Sequence, residues 1–396
     1  MKIALVKPDW RIRGGFEIVV DSIARELVAA GHQVERVDVD VVGLRRAPFG
    51  VEVADQVWDR SPEWFGHLTM LDHFRSLDLS SADLVLSTQP PSYAVHHPRH
   101  LSLFYHHARA FYDLSDVWVA AGRAPRLLHE TAGALLRDAE SEDLAEVTHF
   151  LAGSQRVAER LRRYQGAAVP VSLYEFAAPL VPDVDAATYD HVLTVSRHEF
   201  TKRTELVVEA LALGERDGVL AGDGGRLRFV RSLAAKFATH AIDPGSLPPE
   251  ELWLNLGLAD TSDEPGEHEH KRIRIPGRVA DVELDRLYRT ALCVVAPAYD
   301  EDDGLTVLEA MAHARPVIVC RDGGGLTHLV EDGVNGFVVE PDGTAIAEAI
   351  GRLASDPTLA RAMGRAAVET TRGRTSESAR VQLLDAVELV AGGGAP

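Results

Sequence analysis

The sequence predicts an α/β protein built from two doubly wound halves, each a parallel sheet covered by helices on both faces. Short β-prone apolar runs alternate with helix-period segments along both halves, as parallel strands with crossover helices require. At 396 residues the chain exceeds one ordinary core, so two domains are expected. A polar, proline-containing stretch from Pro179 to Thr188 interrupts the alternation and reads as the linker. The expected division is therefore 1–180, 181–375 and a closing helix with its tail, 376–396.

In the first half, residues 3–6 form a strand that Gly14 and Gly15 break. Phe16, Val19, Val20, Ile23 and Leu27 then mark the buried stripe of a helix that Gly31 ends, and Val34 to Val37 reads as the next strand. Further strands are expected at Leu84–Ser87 and Leu101–Tyr105, with a helix around Val157–Tyr164. In the second half, His191–Val195 opens the new alternation, and Leu292–Pro297 precedes a run of good helix formers from Thr306 to His313. A last helix is expected over Ser376 to Val390.

Composition narrows the function. No apolar run reaches the roughly 18 residues a membrane span needs, and the opening MKIALVKPDW turns polar too soon for a signal peptide. Two cysteines, Cys293 and Cys320, both fall in expected buried strands, so core thiols in a reducing cytoplasm are expected rather than a disulfide framework. Residues 1–178 hold 19 Lys and Arg against 24 Asp and Glu, a balance of −5 within the total of −19, which leaves −14 for the remainder. That field excludes broad nucleic-acid binding. Arg156, Arg160, Arg162 and Arg163 form a basic patch on one helix; with Glu159 among them it reads as a solvated face rather than a lipid-binding one. The expectation is a soluble enzyme without membrane association.

The stretch DEDDGLTVLEAMAHARPVIVCRDGGGLTHLVEDGVNGFVVEPD, Asp300 to Asp342, carries the strongest functional signal. It sets Glu301 and Glu309 eight positions apart across a strand-to-helix junction, with Gly304 and Leu305 at the helix start. Free amides and the positive dipole end there favour an anion, and the carboxylates remain to accept hydrogen bonds from hydroxyls. A βα unit with solvated acids would show the same local pattern. Upstream, Arg197 leaves a strand end and Lys202 begins the following helix, so both reach the carboxyl edge of the sheet, where they can converge on one site.

The stretch resembles the E-x7-E signature of retaining, family 4 glycosyltransferases of the GT-B fold, through its glutamates, the PVI after the helix and the later GG…V.DG.NGF run. The resemblance implies two Rossmann-like domains facing across a cleft, an acceptor-binding domain first and a nucleotide-sugar domain second, with the C-terminal helix crossing back to the first. It implies that Glu301 contacts the transferred sugar, Glu309 the ribose, and Asp303, Gly304, Leu305 and Thr306 the sugar and phosphate. Asp303 stands where the family usually has Phe, and His328 where it usually has Glu.

Arg197 and Lys202 match the family's R-x4-K diphosphate element, and Gly14 and Gly15 its GG.E turn, in which Gly15 meets the donor diphosphate. His107 matches the Y-x-H histidine beside the anomeric carbon, with His106 the competitor and Asp113 an acceptor contact. Val279 follows a strand whose backbone borders the nucleobase, although Phe229-Val230-Arg231-Ser232 departs from the glycine-rich segment expected nearby. Arg203 is the lesser phosphate candidate. No metal is expected: His106 and His107 are adjacent and lack a third ligand, and His268 and His270 read as exposed residues of the acidic loop 260–269.

The implied activity moves a hexose-type sugar from a UDP-, GDP- or TDP-sugar to an acceptor hydroxyl of a small molecule, glycan or natural product, with no cofactor. A sugar-nucleotide epimerase, a free-sugar synthase and a non-catalytic sugar-nucleotide-binding protein are the alternatives.

Overall fold

The computed structural model describes residues 1–12, 14–182, 188–254 and 270–393. Two parallel six-stranded sheets organise the chain. The first comprises β1 (Lys2–Asp9), β2 (Gln33–Asp40), β3 (Leu84–Ser87), β4 (His100–Phe104), β5 (His149–Ala152) and β6 (Val171–Leu173), in the order β2-β1-β3-β4-β5-β6. The second comprises β7 (His191–Val195), β8 (Gly218–Ala221), β9 (Ile273–Gly277), β10 (Ala291–Ala296), β11 (Val317–Cys320) and β12 (Gly336–Val339), in the order β12-β11-β10-β7-β8-β9. This is the two-domain α/β architecture of GT-B proteins.

Local chemistry explains the strands. β10 is apolar along its whole length and β7 apart from His191 and Thr194, and both are buried on both faces, as interior strands of a parallel sheet are. β2 is an edge strand, and its sequence QVERVDVD exposes charged residues that discourage pairing with another chain. Cys293 on β10 and Cys320 on β11 are buried free thiols, pushed up to about 12 by burial. The register Val294↔Val317 sets them apart along adjacent strands.

The chain forms two compact units, Met1–Ala177 together with the helix from Ser376, and Ala178–Thr375. In the first unit, the closing helix Ser376–Ala391 buries Leu383, Ala386, Val387 and Val390, and its Gln382 side chain accepts a hydrogen bond from the Glu175 amide at 2.8 Å. The helix Gln155–Gln165 is capped by Ser154, whose hydroxyl accepts from the Val157 amide. Here the sequence reading needs correction, because Arg160 does not belong to a solvated face: it is 3% exposed and pairs with Asp113 at 3.2 Å. The acidic loop 260–269, including His268, lies outside the described residues, as do residues 183–187 of the expected linker and the last residues of the tail. No described helix is long and apolar enough to cross a membrane.

Candidate functional site in the second unit

In the second sheet the connections after β7 and after β10 leave in opposite directions, because β8 and β9 extend the sheet one way and β11 and β12 the other. Such a switch point opens a crevice at the carboxyl ends of the two strands. Arg197 stands exposed just past β7, and Glu301 lies past β10. The chain runs from Arg197 through a short 3-10 turn, Phe200–Lys202, before the helix Thr204–Leu213 begins. Lys202 therefore precedes that helix, and its ammonium forms an ion pair with Glu301, the two side chains being 23% and 21% exposed.

The backbone of Glu301 is held on both sides: its amide donates to Gly323 O at 3.0 Å and its carbonyl accepts from the Gly325 amide at 2.8 Å. Gly304 then takes φ +100 and caps the helix Leu305–Ala312, where a Cβ would come within 2.3 Å of Leu326. Glycine is required there by both torsion and space. The first amides of this helix, at Leu305 and Thr306, have no intrahelical acceptor and remain available to an anion.

Glu309 sits in the second turn of the helix rather than the first. The Tyr288 hydroxyl donates to its Oε2 at 2.8 Å, and burial raises the carboxyl above its ordinary value although that hydrogen bond opposes the rise. His313 completes the support, stacked on Tyr288 at 4.9 Å with Nδ1 against Glu309 O at 2.7 Å and Nε2 against Asp285 at 3.1 Å. One acid is thus cation-paired and the other hydroxyl-bound.

Asp303, expected among the donor ligands, has a cationic partner within the unit. Its side chain is 6% exposed and engages Arg374 at 3.3 Å, so the carboxylate that replaces the usual Phe is committed inside the unit. His328, by contrast, is exposed at the end of the turn Gly325–His328.

The glycine-rich element also lies elsewhere than expected. Residues Phe229 to Ser232 fall inside the helix Leu227–Ala238, and the glycine turn is Gly222-Asp223-Gly224-Gly225 after β8. A Cβ on Gly222 would stand 1.8 Å from Ser196 O and one on Gly224 2.6 Å from His198 O, so the turn packs directly on the segment carrying Arg197. The run GVLAGDGG was the available signal. Gly277 closes β9 at φ +80, its carbonyl accepts from the Gly222 amide, and Val279 is half-buried beyond it. His270 is half-buried, and burial lowers its basicity.

Arg203, the lesser phosphate candidate of the sequence, is turned into the unit. It is 1% exposed, at φ +49, and donates to Pro297 O at 2.7 Å, to Ala298 O at 3.3 Å and to both oxygens of Asp322.

In the first unit the structure divides the expected residues differently. Gly14 caps the helix Gly15–Ala29, with its amide donating to Glu17 at 2.9 Å, and both glycines are exposed. His107 is fully buried: it stacks on Tyr112 at 4.3 Å and meets Phe104 and Tyr164 edge-on, and burial lowers its basicity to about 3. The ring expected beside a reacting carbon is thus enclosed among aromatic side chains of its own unit. His106 is the half-buried neighbour, with Nδ1 against His107 O at 2.6 Å. Asp113, expected as an acceptor contact, is only 5% exposed and pairs with Arg109 at 2.7 Å and Arg160 at 3.2 Å. Among the described residues no three His, Cys, Asp or Glu side chains converge as a metal site.

Residues 266–370 match the family model of glycosyl transferases group 1. The D-inositol 3-phosphate glycosyltransferase of Kribbella flavida is 44% identical over 87 residues, 22% of this chain and 20% of that protein. The alpha-D-kanosaminyltransferase of Streptomyces kanamyceticus is 32% identical over 194 residues, 48% of this chain and 42% of the relative. The chain spans less than half the length of these curated relatives. Among solved structures, sucrose-phosphate synthase from Thermosynechococcus elongatus superposes with a TM-score of 0.67 at 18% identity, covering 99% of this chain and 100% of the other. Anabaena HepE in complex with UDP and glucose gives a TM-score of 0.62 at 17% identity, covering 98% of this chain and 99% of the other.

Proposed function

We propose that this chain is a retaining, family 4-like glycosyltransferase that moves a hexose-type sugar from a nucleoside-diphosphate donor to an acceptor hydroxyl. The reading rests above all on the Lys202–Glu301 ion pair at the β7/β10 switch point, beside the helix that Gly304 opens. A lysine already neutralised by a carboxylate can shift to an arriving diphosphate without leaving an isolated buried charge. Arg197 supplies a second cation and the amides of Leu305 and Thr306 a third set of donors, so negative charge growing on the leaving group meets fixed donors. Glu309 accepts from the ribose, and Glu301, released by Lys202, accepts from the sugar.

Front-side displacement fits this equipment. The bond from the anomeric carbon to the donor phosphate oxygen breaks, the acceptor oxygen bonds to the same face, and its proton passes to the departing phosphate. Gly14 and Gly15 are donor-binding residues and His106 an acceptor-binding residue in this reading, which makes the enzyme a cytoplasmic one. The relatives named for inositol-phosphate and kanosamine transfer support the activity class, and the UDP of HepE makes UDP-sugars the first donors to test.

The test is a panel of UDP-, GDP- and TDP-sugars, with nucleoside diphosphate release followed with and without acceptors and the product anomer read by proton NMR. Acceptor-dependent release with retained configuration is expected, and it should survive EDTA. Interconversion of donors without release would instead identify an epimerase, and binding without turnover a sensor.

A further inference from the structure

We propose that Arg203 is a positioning residue that sets the Lys202–Glu301 pair by pinning their two loops to one guanidinium; its kinetic consequence rests on the glycosyl-transfer reading. A side-chained residue at φ +49 holds an unfavourable backbone conformation and persists only where its surroundings enforce it. Here they do. The guanidinium donates to Pro297 O and Ala298 O, the start of the loop that carries Glu301, and pairs with Asp322, while Trp253 and Tyr299 lie over it at 5.3 and 5.4 Å.

Asp322 in turn accepts the Asp300 amide on its carbonyl at 2.8 Å, and the Tyr299 amide donates to Thr201 O at 2.7 Å. The Arg203 guanidinium thus adds a side-chain link between the Lys202 turn and the Glu301 loop beside the backbone one at Tyr299. Only the planar fork of arginine can serve two carbonyls and both oxygens of a carboxylate together; lysine offers a single point charge. The left-handed torsion turns the chain between the Phe200–Lys202 turn and the Thr204–Leu213 helix, so that consecutive cations take separate partners, Glu301 for one and Asp322 for the other.

Three variants test the proposal: Arg203→Lys, which keeps the charge; Arg203→Gly, which suits the torsion but removes the fork; and Asp322→Asn, which weakens the pin from the other side. Competitive acetylation with acetic anhydride, read by mass spectrometry against Lys236 in the same chain, reports the ion pair without any turnover. Lys202 should label severalfold faster in both Arg203 variants and less so in Asp322→Asn. With an active donor, kcat should fall on the order of tenfold while affinity for free nucleoside diphosphate stays within about threefold, since the loss is one of placement. Added ethylguanidinium should restore part of both readouts in Arg203→Gly. Unchanged Lys202 labelling in Arg203→Lys and Asp322→Asn, with folding verified by circular dichroism, overturns the pin even if activity falls. Absence of turnover by the wild-type protein with every donor removes the transferase reading instead, and the labelling still decides the role of Arg203.

Discussion

The segment after β10 and the segment after β4 both leave the carboxyl edge of a parallel sheet, and both carry the residue types that chemistry uses. Their fates differ. Past β10, Glu301 stays partly exposed in contact with a lysine, because neighbouring connections diverge there. Past β4, flanked by β3 and β5, the chain folds beneath the helices Arg126–Glu146 and Gln155–Gln165, and His107 and Asp113 go inside. A strand end is therefore not by itself a site; the direction taken by the adjacent connections decides whether its residues meet solvent or core.

The largest expected effect contrasts charge loss at the two places. Lys202→Ala and Glu301→Gln should lower turnover on the order of a hundredfold or more, the cost of one electrostatic donor or one misplaced reacting group, with little change in thermal stability. Steady-state kinetics with thermal melts checks this, and wild-type turnover in either variant would remove that residue from the site.

Asp113→Asn should do the reverse. Removing its charge takes a shared carboxylate from the buried Arg160 and from Arg109, at a cost of about 3 kcal/mol in urea denaturation, while turnover per folded molecule is retained. A wild-type unfolding midpoint would contradict the buried-pair assignment.

A pH experiment sharpens the contrast further. Burial keeps His107 neutral down to about 3, whereas in the unfolded chain it takes up a proton near the ordinary 6.5. The unfolded state therefore binds more protons below that value, and His107 makes folding stability fall by up to roughly 1.4 kcal/mol per unit as pH drops from 6.5 toward 3, with no effect above it. Phe in its place should pack among Phe104, Tyr112 and Tyr164 and flatten the acid limb between pH 7 and about 5, measured as unfolding midpoints. An unchanged slope would place the ring in water.

The smallest effect concerns the second glutamate. Tyr288→Phe removes one hydroxyl from Glu309 and should weaken nucleoside diphosphate binding roughly fivefold, the worth of about 1 kcal/mol, with kcat nearly unchanged in calorimetry set beside kinetics. A selective loss of kcat would instead tie Tyr288 to the transferred sugar.

Legible in the sequence were the alternation of strands and helices, the Gly304-headed helix with Glu309 and the loop with Glu301 before it, and the proximity of Arg197 and Lys202 to one strand end, because each follows from local periodicity, torsion or spacing. His191–Val195 matches its strand residue for residue for that reason. Burial of His107, occupation of Asp113 by two arginines and of Asp303 by Arg374, and the left-handed backbone at Arg203 were decided only by the tertiary structure. Each depends on partners distant in the chain: a histidine reads the same in sequence whether a helix later closes over it or water reaches it, and an arginine takes a strained torsion only when a carboxylate and carbonyls from other loops hold its far end.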